Sequence, residues 1–432
     1  MRESVIVDIE KLVQGGYGLA RLEGRTLFVR GTVPGERVEV RLGAARGQYQ
    51  EAWVQRVVRA SADRVAAPCE IYGRCGGCQF QHLNYGSELH WKKQILLETL
   101  KRIGKIDKPP LTEVVPSPSE YGSRGVVRFG LLRRGNGFAL GFHEEGSARL
   151  VTATDCLLLP VVLREPVRLL QTRLGSMASL GCLVHSIELR ASSTFDHQML
   201  MIVRTDAAHQ RATGRLTDLA QSLPGLVGLV VLGERNEQEQ RWVEGQDWIA
   251  ERLDDLLFRI GDRSSMQSNW AVTQFLVQTV IDWVEPKVGL RVLELFAGIG
   301  TLGLPLAKRG SLVTMVESNP WASADARRAA KGNHIGRCRF RVAPVEQFLT
   351  TESSIDYDVI LLHPPRTGLS RDCLQGLLRS NQARLLYVSC DPPTLARDLR
   401  RLLDGGYRLV RLQSFDMFPR TAHLETLVEL AR

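Results

Sequence analysis

Leu293-Glu294-Leu295-Phe296-Ala297-Gly298-Ile299-Gly300-Thr301 is the stretch on which the fold turns. A β-prone run ends there on an acidic-apolar pair and passes into Gly-x-Gly, so backbone free of side chains sits at the carboxyl end of a strand, where a ligand can approach closely. Gly298, Gly300 and Gly303 fit the string Gly-x-Gly-x-x-Gly. Glu317 closes the next β-prone run, where a carboxylate can take the hydroxyls of a ribose. The glycines alone leave two cofactors open, a nicotinamide dinucleotide and S-adenosylmethionine.

Downstream the rhythm stays regular. Val272–Val284 is apolar at helical spacing, and Arg291–Phe296, Leu312–Glu317, Arg337–Val342, Asp358–Leu362 and Leu385–Val388 read as buried strands separated by helical stretches. Alternation of this kind predicts a doubly wound parallel sheet. After Gly405-Gly406 come two more strands, Arg408–Phe415 and Leu424–Leu430. A terminal hairpin on a mostly parallel sheet predicts a class I methyltransferase (Rossmann-like) domain over residues 261–432.

Upstream the pattern is different. Residues 1–60 hold five short β-prone runs, beginning with Val5–Leu12, punctuated by Gly15-Gly16-Tyr17-Gly18 and Pro34-Gly35, which predicts an OB-like β-barrel. Residues 61–260 read as a central, mostly antiparallel β domain. It begins with Cys69, Cys75 and Cys78, continues through a helix over Ser87–Ile103, and then a Pro-rich linker, Lys108–Pro118. Val126–Arg133 and Phe138–Phe142 pair across Gly135-Asn136-Gly137, and a helix is expected over Ala207–Ser222. The fold class is thus multidomain α/β.

Composition narrows the function. The chain has 432 residues, 56 Lys+Arg against 47 Asp+Glu for a formal charge of +9, and 44% hydrophobic residues. That is globular composition with a lean toward nucleic acid, and the longest apolar runs fall far short of the ~18 residues a membrane span needs. Met1–Gln14 lacks a hydrophobic signal core, so a cytoplasmic protein is expected, and its eight cysteines are not expected to form a disulfide framework.

Four further motifs carry chemistry. In Tyr387-Val388-Ser389-Cys390-Asp391-Pro392-Pro393-Thr394 a cysteine ends a buried strand, with a helix expected from near Thr394. A helix N-terminus favours thiolate, so Cys390 is a candidate nucleophile rather than core filling. Asp416-Met417-Phe418-Pro419-Arg420-Thr421-Ala422-His423-Leu424-Glu425 opens the last strand, and Glu425 reaches the same sheet end if the hairpin folds back, as a general base would. Leu362-His363-Pro364-Pro365-Arg366 ends the fourth strand in a rigid rim suited to reading a base edge. Five residues separate Cys69 from Cys75 and two separate Cys75 from Cys78, with Cys156 far downstream. Such a set holds either tetrahedral zinc or an iron–sulfur cluster. Cys182, Cys338 and Cys373 read as core or incidental.

Taken together, these residues resemble the RNA (uracil-5-)-methyltransferase family in its iron–sulfur, TRAM-domain-bearing form, best known on 23S ribosomal RNA. Gly15–Phe28 with Val33-Pro34-Gly35-Glu36 is similar to a TRAM module, and Gly141-Phe142 through Ser147, Arg149 and Asp155-Cys156 to the family's central run. Gln267 and Asn269 match its Gln-x-Asn step. The resemblance implies that Cys69, Cys75, Cys78 and Cys156 hold a [4Fe–4S] cluster, and that Gln267, Phe296, Gly298, Thr301, Glu317 and His363 surround S-adenosylmethionine. It further implies that Cys390 adds to uracil C6, that C5 takes the methyl group, and that Glu425 removes the C5 proton, on a uridine flipped out of its stack. RNA, with 23S rRNA foremost, is the implied partner, with no membrane and no obligate protein partner, the chain acting as a monomer. Two positions depart from the family: His363 stands where it has Asp, and Thr301 where it usually has Asn. Two other functions therefore remain open, a non-catalytic RNA-binding or assembly factor and a cytosine-C5 RNA methyltransferase, although Ser389-Cys390-Asp391 lacks the Thr-Cys or Pro-Cys setting common in the latter.

Overall fold

The computed structural model describes residues 4–432 apart from 154, 178, 181–183, 207–209, 236–237, 352–356 and 380–383. Cys182 and the first residues of the expected helix at 207 lie outside the described residues.

The chain begins with β1 (Ser4–Asp8), β2 (Lys11–Val13), β3 (Tyr17–Leu22), β4 (Arg25–Arg30), β5 (Arg37–Arg46) and β6 (Tyr49–Arg59), in the sheet order β1-β5-β6-β4-β3-β2. The expected single strand Val5–Leu12 is therefore two. At the break, Ile9 N–H donates to Glu36 O and Glu10 N–H to Leu19 O, both at 2.9 Å. The consecutive halves pair with opposite edges, β1 with β5 and β2 with β3. Gly18 makes this possible, since a Cβ there would lie 2.0 Å from Thr32 Oγ1. Leu27, Val29, Val38, Val40 and Ala52 fill the interior.

Helix α1 (Tyr85–Thr99) starts where the Asn84 side chain accepts the Ser87 N–H, and ends in a π-turn, Leu100–Gly104, closed by Lys105 at φ 57°. Next come β7 (Val126–Arg134), β8 (Gly137–His143), β9 (Leu150–Thr152), α2 (Val161–Gly175), β10 (Val184–Ala191), β11 (Met199–Thr205), α3 (Gln210–Gln221), β12 (Leu226–Arg235) and β13 (Gln238–Gly245). The sheet order is β13-β12-β11-β10-β7-β8-β9. Only β11 and β12 run parallel among these pairs, because α3 carries the chain back between them. Helix α2 is not anticipated from the sequence: Pro160 and Pro166 interrupt its apolar run. Yet Pro160 stands at the N-cap, and Leu163, Val167, Leu170 and Leu174 are buried at helical spacing.

A separate hairpin, β14 (Trp248–Leu253) and β15 (Leu256–Gly261), precedes the last unit. That unit comprises α4 (Trp270–Val284), β16 (Arg291–Leu295), α5 (Gly303–Lys308), β17 (Leu312–Glu317), α6 (Pro320–Gly332), β18 (Cys338–Val342), α7 (Val345–Thr351), β19 (Val359–Leu362), α8 (Arg371–Arg379), β20 (Arg384–Ser389), α9 (Pro392–Asp404), β21 (Arg408–Phe415) and β22 (Glu425–Ala431). The strands lie in the order β18-β17-β16-β19-β20-β22-β21, parallel as far as β20, with β22 antiparallel to both its neighbours. The winding reverses between β16 and β19, so the crevice beyond their carboxyl ends is where a doubly wound sheet takes its ligand.

The expected linker Lys108–Pro118 is not a free tether. Leu111 and Val115 bridge to Leu412 and Phe415, and Val115 N–H donates to Ser414 O at 2.8 Å. It thereby covers the exposed edge of β21, a strand edge that would otherwise present unpaired backbone groups. Leu96 and Leu100 of the α1 region share a core with Leu395, Ala396 and Leu399 of α9. Among the described residues no helix is long and apolar enough to cross a membrane.

Candidate active site

Immediately after β16, Phe296 has φ 60°, Gly298 φ 55° and Gly300 φ 83°. A left-handed backbone at a bulky residue is strained and persists only where its surroundings hold it. Glu317 does part of that holding: one carboxylate oxygen accepts Gly298 N–H at 2.8 Å and the other Asn319 N–H at 2.7 Å. The carboxylate expected at the ribose thus also ties the glycine loop to the end of β17. Gly303 has a different reason to be glycine, since a Cβ there would lie 2.2 Å from Glu294 Oε2. Burial pushes the Glu294 carboxyl up to about 8, so it is neutral at physiological pH. Thr301 and Gln267 are half-buried. Asn269 caps α4 and donates Nδ2 to Ser117 Oγ at 3.0 Å.

Across the crevice, β20 and β22 pair with Ser389 opposite Thr426, which brings Cys390 and Glu425 to adjacent positions at one sheet end. His363 follows Leu362, whose neighbours in the sheet are Leu295 and Tyr387. Its Nε2 lies 3.7 Å from Glu425 Oε1, with the Glu425 side chain 2% exposed and His363 21%. Glu425 Oε1 is buried without a hydrogen-bond partner among the described residues. Burial pushes the Glu425 carboxyl up to about 8 against the opposing pull of Arg366, and pushes His363 down to about 4.

Cys390 is not the pre-formed thiolate that its place before a helix suggests. Burial, with Glu425 adding to it, pushes the thiol up to about 11, although Arg366 draws it the other way. The helix end is already served, because Asp391 is the N-cap of α9 and its Oδ2 accepts Thr394 N–H at 3.1 Å. An anion there offsets the field that would have favoured thiolate.

Cys69, Cys75, Cys78 and Cys156 are free thiols and line one cavity with Arg124, Tyr72 and Asp155. Gly77 N–H points at Cys75 Sγ, 3.4 Å away. Four sulfurs on one zinc ion at about 2.3 Å each would stand roughly 3.8 Å apart. Among the described residues no three Cys, His, Asp or Glu side chains are gathered as a site for a single metal ion. The four thiols share one chamber, and an all-thiol donor set is one that either zinc or an iron–sulfur cluster takes. Cys373 is buried in the core and Cys338 packs at its margin.

Residues 198–432 match the family model described as tRNA (uracil-5-)-methyltransferase. An uncharacterized RNA methyltransferase of Aquifex aeolicus is 33% identical, over 98% of this chain and 97% of its own length. The chain belongs to the RNA (uracil-5-)-methyltransferase family. The 23S rRNA (uracil(1939)-C(5))-methyltransferase RlmD of Pseudomonas putida is 35% identical, over 98% of this chain and 92% of that protein. The Pyrococcus abyssi tRNA (uracil-54, C5)-methyltransferase, solved with S-adenosyl-L-homocysteine, superposes with a TM-score of 0.74 at 25% identity, covering 99% of this chain and all of the other. This RNA uracil-5 methyltransferase therefore uses S-adenosylmethionine as methyl donor and RNA as substrate.

Two groups that the sequence reading passes over stand beside the methyltransferase's expected residues. Arg366 acts on Cys390, Glu425 and His423 alike. Its only sequence signal is membership of the His363-Pro364-Pro365-Arg366 rim. Arg124 faces the cysteine chamber and also His423. Furthermore, the cysteine loop is tied to the segment before Glu425: Gln79 and Phe80 N–H both donate to Arg420 O at 3.0 Å, and Ala422 N–H donates to Gln79 Oε1 at 3.1 Å.

Proposed function

We propose that this enzyme methylates C5 of one uridine in 23S ribosomal RNA, with Cys390 as nucleophile and Glu425 as the base that removes the C5 proton. The observation that carries the reading is the meeting of Cys390, Glu425 and His363 at the carboxyl ends of β20, β22 and β19. Uracil C5 is a poor nucleophile until Cys390 Sγ adds to C6, its S–H proton being given up to water as the S–C6 bond forms, whereupon electron density collects at C5. The sulfonium methyl of S-adenosylmethionine is the electrophile that C5 attacks. Loss of the C5 proton to the Glu425 carboxylate then re-forms the C5–C6 double bond and expels Cys390 Sγ. Gln267, Phe296, Gly298, Thr301 and Glu317 form the cofactor side of the crevice, with His363 between it and the base. The Pseudomonas relatives that match over nearly the whole chain favour 23S rRNA as substrate.

The domain boundaries proposed are 1–60, 61–260 and 261–432. The bent first strand, whose halves pair with opposite edges of one sheet, supports an OB-like barrel of TRAM type at the N-terminus, and such barrels bind single-stranded nucleic acid. Cys69, Cys75, Cys78 and Cys156 are proposed to hold a [4Fe–4S] cluster, whose role is to fix the loop that reaches Arg420. Anaerobically purified protein should carry iron and acid-labile sulfide in equal amounts, and Cys156→Ser should lower both together. Stoichiometric zinc in a colourless preparation would overturn the assignment.

The reaction itself is tested with RNA carrying 5-fluorouridine. Fluorine at C5 cannot leave as a cation, so turnover should stop at a covalent protein–RNA adduct bearing the transferred methyl group. The adduct is expected with S-adenosylmethionine and full-length protein, resists denaturing gel electrophoresis, and maps to the Cys390 peptide. Adduct at any other residue refutes the mechanism.

A further inference from the structure

The reading of Glu425 as base leaves a difficulty that its surroundings address. The carboxyl is buried at the start of β22, and Oε1 has no hydrogen-bond partner among the described residues. Burial holds it near 8, so at neutral pH most of it carries the proton it must lose before it can act. After each turnover it is protonated again, now by the proton from C5. A group that accepts this proton inside the crevice would let the base work at its full rate near neutrality.

Three titratable or charged groups face Glu425 from the elements packed around it: Cys390 after β20, Arg366 in the rim loop, and His363 after β19. Arg366 cannot accept a proton, and the Cys390 sulfur is committed to carbon. Asp391 reaches Cys390 rather than Glu425, and it caps α9. That leaves the imidazole.

We propose that His363 is the proton acceptor behind Glu425, its Nε2 standing 3.7 Å from the unpartnered Oε1, and that the two side chains share one proton as a unit. The step balances: the carboxyl O–H breaks, an Nε2–H bond forms, and a carboxylate faces an imidazolium. Taken one at a time, each charge is opposed by burial, which holds the carboxyl near 8 and the imidazole near 4. Moving a single proton creates both charges together, so each stabilises the other. A separation of 3.7 Å needs less than an ångström of contraction to become a hydrogen bond, and such bonds commonly tighten only around bound substrate. His363 thus acts through Glu425. Its acid–base behaviour belongs to the pair, not to either residue alone.

This inference rests on the mechanism proposed above, and the test separates the two. His363→Gln keeps a polar head at about the reach of Nε2 but cannot take a proton. Wild type and variant are assayed as full-length proteins for tritium release from RNA containing 5-tritiated uridine, across pH 6 to 9.5, and for adduct formation on 5-fluorouridine RNA. The adduct should form in both, because it precedes loss of the C5 proton. Tritium release by the variant should be about tenfold lower at pH 7 than at its own plateau near pH 9, as expected for a base with a pKa near 8, whereas the wild-type rate should change far less over that range. At pH 7 the variant should accumulate methylated covalent intermediate on ordinary RNA. An unshifted pH profile, or a loss equal at every pH, overturns the role of His363 while leaving the nucleophile in place. Absence of adduct from the wild type overturns the underlying mechanism instead, and this inference with it.

Discussion

Cys390→Ala is expected to abolish methyl transfer, lowering kcat by about 10^4-fold or more, since removal of a covalent nucleophile forfeits the whole pathway that depends on it. Among the described residues, the groups that face Cys390 offer no substitute. Glu425 and His363 are hard bases matched to protons, and Arg366 has no lone pair to donate. The side chain is small and half-buried, so the truncation should cost no more than about 1 kcal/mol of stability. Binding of S-adenosylmethionine, measured by calorimetry, should stay within about twofold of wild type, because the proposed cofactor contacts come from β16, β17 and the segment before α4. Transfer of radiolabelled methyl to RNA is the assay. Retention of even a hundredth of the wild-type rate would mean that C5 is activated without thiolate addition, and the mechanism would have to be abandoned. The burial that holds this thiol up to about 11 also sets a second expectation for the native protein: the thiolate is made during the reaction and not stored beforehand.

How much of this was readable in the sequence depends on the separation over which each feature is decided. The catalytic sheet is local in origin. Each buried strand is a short apolar run, each crossover a helical stretch, and the carboxyl-end glycines mark the switch point, so Arg291–Phe296 is found as Arg291–Leu295 and Leu312–Glu317 as predicted. The meeting of Cys390 and Glu425 needed a register, Ser389 opposite Thr426, that no local pattern encodes. Helix α2 escaped because Pro160 and Pro166 break up its apolar run, although Pro160 stands at the helix start. The state of the Cys390 thiol escaped for another reason. The sequence shows that a helix follows, but not that Asp391 caps it or that a buried carboxyl stands opposite, and both oppose the thiolate. Contacts between Gln79 and the Arg420–Ala422 turn join residues 343 apart in the chain and could come only from the folded molecule.

Those long-range contacts make Lys92→Met the substitution expected to destabilise the protein most. The Lys92 side chain is 1% exposed, and its ammonium lies 2.6 Å from Asp416 Oδ1, 2.8 Å from Glu88 Oε1 and 3.0 Å from Phe418 O. Burial alone would push this ammonium toward neutrality, and Asp416 and Glu88 reverse that, so it stays charged. Methionine fills nearly the same volume but leaves two carboxylates in the interior without their shared cation. Among the described residues Asp416 then keeps the Tyr85 hydroxyl at 2.8 Å, and Glu88 keeps Arg420. Breaking a buried pair from one side costs about 3–5 kcal/mol, because a charge is left uncompensated in a medium that solvates it poorly. At about 2–4 °C per kcal/mol, the melting temperature should fall on the order of 10 °C. Lost packing and lost charge predict opposite outcomes when the partner is neutralised as well. If the cost is electrostatic, Lys92→Met with Asp416→Asn should melt higher than Lys92→Met alone; if it is packing, the double variant should melt lower still. Asp416 begins the segment that runs through Phe418 and Arg420 to Glu425, and the cysteine loop bonds to that same segment. Methyl transfer by Lys92→Met should therefore fail well below its melting temperature, and the double variant should regain activity and stability together.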